Sequence, residues 1–145
     1  MTASRLSLSA VWSDVDLLEV DSAIRFREWA GSARAYATRD ELRAFARGLV
    51  AVEEGATVAS LDIGQLDLGY ATCRLFEYGG ARRLAMEVCI GHAGGQGIGR
   101  PDCKREVHLT VPVERGQLGR FASELQNLVM TETGTATLPL LADWP

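Results

Sequence analysis

Two cysteines and two histidines frame a glycine-rich stretch of this chain. Cys89 and His92 stand at its start as Cys-x2-His, and Cys103 and His108 follow it as Cys-x4-His. Thiolate and imidazole are ligands that zinc prefers, and four of them make a closed tetrahedral site. The stretch between, Gly91-His-Ala-Gly-Gly-Gln-Gly-Ile-Gly-Arg-Pro101, holds five of the chain's fifteen glycines, so a connection here can fold its flanking ligands inwards. The spacing is that of no standard zinc finger. Cys89 with His108 also offers a nucleophile and a base, but no third orienting group or oxyanion donor accompanies them.

The glycines do not build a phosphate cradle. A P-loop needs Gly-Lys-Ser/Thr, and Gly99 is followed by Arg-Pro-Asp. A dinucleotide fingerprint needs G-x-G-x-x-G opening a helix, whereas Gly95-Gln-Gly-Ile-Gly99 has another spacing and leads into a strand. Ala93 breaks any His-Gly-Gly-Gly oxyanion motif. What remains for 91–101 is a long hairpin loop, either a plain connection or an adaptable edge of a binding surface. Carboxylates are plentiful, among them Asp14, Asp16, Asp40, Glu41, Glu53 and Glu54. They fall at turns, helix ends and solvated faces, and no catalytic pair stands out.

Composition narrows the partners. A net charge of −4 opposes a general nucleic-acid binder or an anionic membrane surface. The fourteen arginines are scattered, so they mark no phosphate site. Three cysteines without framework spacing suit a reducing compartment. With no signal peptide and no apolar run of membrane-spanning length, a cytoplasmic protein is expected. A length of 145 residues implies a single domain, 1–145.

The elements that must position these residues are read from periodicity. Thr38-Arg-Asp-Glu41 is a capping box, and Leu42, Phe45, Leu49 and Val52 form one stripe, predicting a helix over about 39–53. Leu118, Phe121, Leu125, Leu128 and Val129 predict a second over about 116–130. The rest alternates as strands. Leu6, Leu8 and Trp12 share a parity, and Val15–Val20, Ile24–Trp29 and Arg34–Ala37 are β-rich. Gly79-Gly80 reads as a two-residue hairpin turn, setting Leu75 opposite Leu84, Cys73 opposite Met86 and Ala71 opposite Val88 on one face. A bulge at Gly69 would bring Leu66 and Leu68 to that face too. Pairing Ile90 with Val107 adds Val88–Leu109, Met86–Val111 and Leu84–Val113, and sets Cys89 opposite His108 on the outer face. The expectation is an α+β fold, a mostly antiparallel β-sheet with both helices on its apolar face. The apolar tail, 135–145, is expected to dock.

The outer face then becomes a candidate partner surface. Tyr70, Phe76 and Tyr78 lie on it with Arg74 and Arg83, and Trp29 belongs to an earlier strand. Aromatics and arginine are the residues enriched at interface hot spots. A homodimer is another use of the same surface.

The chain also resembles the uncharacterised actinobacterial DUF6228-type proteins and the WapI-like immunity proteins. The likeness rests on Asp40-Glu-Leu-Arg-Ala-Phe-Ala-Arg-Gly-Leu49, on Gly64-Gln-Leu-Asp-Leu68, and on Val107–Val113 running into Glu114-Arg-Gly-Gln-Leu-Gly-Arg-Phe121. It covers about residues 24–130 and departs in the glycine-rich stretch. It implies a binding module that neutralises a toxin without catalysis, and carries over no site residue. The leading expectation is therefore a non-enzymatic protein-binding module, immunity-like in role. The alternative is a small metal- or ligand-binding protein, or an enzyme, centred on Cys89, His92, Cys103 and His108, with zinc as cofactor.

Overall fold

The computed structural model describes residues 3–94 and 103–145, with side chains up to residue 92 and from residue 104. In chain order they form β1 (Arg5–Ser13), β2 (Leu18–Phe26), β3 (Trp29–Ala37), α1 (Arg39–Glu53), β4 (Val58–Gln65), β5 (Gly69–Tyr78), β6 (Arg83–Gly94), β7 (Cys103–Val113), a 3-10 turn (Arg115–Gln117), α2 (Leu118–Thr131) and β8 (Thr135–Pro139). The fold is α+β and every strand pairing is antiparallel. The strands divide into two sheets of four, ordered β3-β2-β1-β8 and β4-β5-β6-β7. Residues 95–102 lie outside the described residues, and with them the hairpin-loop expectation for 91–101; Gly91–Gly94 belong to β6. No described helix is long and apolar enough to cross a membrane.

Strict alternation builds the first sheet. Leu18, Val20, Ile24 and Phe26 of β2 are buried with Leu6 and Leu8 of β1. The parity fails at Trp12. A register shift between Ala10 and Trp12 inserts a residue, so Trp12 turns outward, half exposed, its ring edge-on to Tyr36. The chain's last strand, β8, pairs with β1 and buries Ala136 and Leu138.

The helices begin and pack where their side chains dictate. Thr38 accepts from the Glu41 N–H (3.1 Å) while the Glu41 carboxylate accepts from the Thr38 N–H (2.8 Å), closing the capping box. The two apolar stripes meet at Phe45 and Phe121, edge-to-face with centroids 6.3 Å apart. α1 lies along β4, and α2 lies on β8 and β1. One hydrophobic core runs through both helices and both sheets.

The sheets join because β3 crosses the strands of the second sheet. Gly31 packs on Val107 of β7, and a Cβ at Gly69, at the start of β5, would overlap the Arg34 carbonyl. Gly69 also has φ +128°, so the close approach needs glycine twice over. This crossing brings the β2–β3 turn and Trp29 beside β7.

Three further local expectations are corrected. The turn between β5 and β6 takes four residues, Gly79–Arg82, so Cys73 faces Val88 and Leu75 faces Met86. A shift of two keeps every side chain on its face. The longer turn is anchored from outside: Arg115 donates to Glu77 Oε1 (2.7 Å) and to the Arg82 carbonyl (3.2 Å). Gly69 is not a bulge that buries Leu66 and Leu68. Both lie in the β4–β5 turn, 62% and 56% exposed. β2 runs unbroken from Leu18 to Phe26, and the chain reverses at Arg27, which takes φ +57°.

Candidate functional site

The outer face of the second sheet gathers the chemistry. β6 and β7 pair as the apolar matches predict, with Ile90 opposite Val107 and Leu84 opposite Val113. Cys89 therefore lies opposite His108, and Glu106, two residues before His108, shares their face. The thiol, one carboxylate oxygen and one imidazole nitrogen of Cys89, Glu106 and His108 all lie within 4.8 Å of one another.

The surrounding groups hold these three. The Tyr70 hydroxyl donates to Glu106 Oε2, and the Lys104 ammonium stands 3.4 Å from the same oxygen. The Tyr70 hydroxyl, first, and the Cys89 thiol hold the Glu106 carboxyl below its ordinary range. His108 Nε2 lies 3.3 Å from Glu87 Oε2, and Arg74 Nε lies 3.6 Å from Glu87 Oε1. Partial burial, with Glu106 beside it, pushes the Cys89 thiol up to about 11. A thiol so shifted is protonated near neutrality, the reverse of an activated nucleophile.

The other sequence candidates fall elsewhere. His92 pairs in register with Arg105 and faces the opposite side of the sheet from Cys89. It lines a depression with Ser32, Arg34, Leu68 and Gly69, so it does not join the cluster. The reason is parity: a spacing of three reverses faces on a strand. Cys103 opens β7 opposite Gly94, and its side chain is outside the described set. Glu106 was missed, although its place two residues before His108 on a predicted strand was the signal for it.

The aromatic surface is largely spent within the molecule. Tyr70 is 9% exposed. Tyr78 meets the tail's Trp144 edge-on, with centroids 5.3 Å apart. The Arg74 guanidinium lies over the half-buried Phe76 ring, 4.6 Å from its centroid. Arg83 is exposed at the strand end, opposite Tyr78.

Trp29 stands at a cleft. It is 59% exposed and, with Ala30, forms one wall of a space of about 570 Å³ whose other wall is Glu106–Leu109 of β7. β7 is an edge strand. The Pro112 carbonyl accepts from the Leu141 N–H (3.3 Å), so it points away from β6. Alternation then directs the N–H and C=O of Thr110, His108 and Glu106 outward as well. Among the described residues none of these has a backbone partner. No family model, curated protein or solved structure matches the chain.

Proposed function

We propose that this protein is a non-enzymatic binding module that takes an extended segment of a partner protein onto the open edge of β7. The observation that carries the reading is the row of outward backbone groups at Glu106, His108 and Thr110 beside the Trp29 cleft. Unpaired edges attract another strand unless something blunts them. α1 lies along β4, the other outer strand of this sheet, and in the first sheet α2 lies on β8 while β3 packs on the second sheet. Strand addition supplies backbone hydrogen bonds, and Trp29 supplies an exposed aromatic contact next to them. This reading takes the edge of the sheet beside Trp29, rather than its face, as the binding surface. The resemblance to WapI-like immunity proteins implies the partner class, a protein toxin.

Thr110→Pro tests this. The Thr110 N–H points outward, so proline there removes a donor to a guest strand and no bond within the sheet. Candidates are the proteins encoded by neighbouring genes, purified and titrated onto the wild type and the variant. The expected result is a partner that binds the wild type, loses affinity for Thr110→Pro, and protects the amides of Glu106, His108 and Thr110 from hydrogen exchange. A partner that binds both equally and leaves these amides exchanging overturns the edge reading.

A further inference from the structure

We propose that Cys89, Glu106 and His108 together bind a divalent transition-metal ion of the zinc class. The three donors come from adjacent strands that are themselves fixed by four apolar pairs on the sheet's other face. A thiolate, an imidazole and a carboxylate are zinc-type ligands; magnesium and calcium select oxygen sets. Donors within 4.8 Å of one another need only small rotamer adjustments to meet at bond lengths of about 2.0–2.3 Å.

The outer ligands fit the same purpose. Zinc-bound histidines generally give their second nitrogen to a carboxylate, which sets the ring's tautomer and raises its basicity. Glu87 Oε2 stands 3.3 Å from His108 Nε2, leaving Nδ1 for the ion. The Tyr70 hydroxyl holds Glu106 through Oε2, leaving Oε1. Lys104 opposes a cation here, since its ammonium lies 3.4 Å from Glu106. Its side chain is 59% exposed and free to turn into solvent. Three protein ligands leave a fourth tetrahedral position open to water.

Cobalt titration of the full chain, with any affinity tag removed, reads the site directly. The expected result is one equivalent of cobalt with a thiolate-to-metal charge-transfer band and the visible bands of a four-coordinate ion, all displaced by zinc. Cys89→Ser abolishes the charge-transfer band, and Glu106→Gln or His108→Asn weakens binding about tenfold or more. Lys104→Ala tightens it. His92→Asn leaves it unchanged, with circular dichroism verifying the fold of each variant. Thr110→Pro also leaves it unchanged, so this inference stands or falls separately from strand addition. Absence of the band in the wild type overturns the proposal, as does its persistence in Cys89→Ser or its loss in His92→Asn.

Discussion

Gly31 of β3 packs so closely on Val107 of β7 that a Cβ on residue 31 would come within 2.9 Å of Val107 Cβ. This contact joins the two sheets and sets Trp29 beside the open edge. Gly31→Ala should therefore destabilise by about 1–3 kcal/mol, as overpacking does. Val107→Ala, added to it, should restore part of the loss, giving a favourable coupling of about 1 kcal/mol in a double-mutant cycle. Urea denaturation measures all four corners; strict additivity would mean the two residues do not press on each other.

Glu132 ties the end of α2 to the start of α1. It takes a left-handed backbone, accepts from Arg39 Nε (3.0 Å) and from the Ser13 hydroxyl (2.8 Å), and Arg39 also donates to the Asp14 carbonyl (2.7 Å). Arg39, then Ser13, holds the Glu132 carboxyl below its ordinary 4.5. A carboxyl that ionises more readily when folded stabilises the fold above 4.5, and this is lost as pH falls through its lowered value. Glu132→Gln should lower the denaturation midpoint at neutral pH, and the gap should close on acidification below 4.5. A gap independent of pH would show that charge has no part in it.

The capping box offers a cleaner local test. Thr38→Ala removes the acceptor for the Glu41 N–H and should cost about 1 kcal/mol in thermal or chemical denaturation. Thr38→Ser keeps the acceptor and should stay within a few tenths of the wild type.

Tyr78 has a buried hydroxyl with no hydrogen-bond partner among the described residues, and its ring meets Trp144. Tyr78→Phe removes an unsatisfied polar atom and should be neutral or stabilising by up to about 1 kcal/mol. Trp144→Ala should cost about 1 kcal/mol and raise the exposure of Tyr78, read by tyrosine nitration. A marked loss in Tyr78→Phe would mean that the hydroxyl is satisfied.

Much of this protein is legible in short-range pattern. The 3.6-residue stripes and the Thr38–Glu41 box place α1 at 39–53 because each is a property of neighbouring residues. The four apolar pairs from Ile90–Val107 to Leu84–Val113 determine the β6–β7 register, and with it the meeting of Cys89 and His108. Parity also excludes His92 from that meeting once the segment is known to be a strand. The β5–β6 register escapes the same reasoning, since a shift of two leaves every face unchanged, and the contacts of the longer turn include Arg115, reaching in from beyond β7.

The tertiary structure alone decided what covers the surfaces that pattern exposes. Two sheets, the passage of β3 over β7, the closing of Trp144 on Tyr78 and the freedom of the β7 edge all rest on contacts between distant segments. Alternation states which side of a strand is apolar, but not which element will lie against it. That choice follows from how whole faces fit once formed, and glycines such as Gly31 and Gly69 show their role only when the crossing chain is in place.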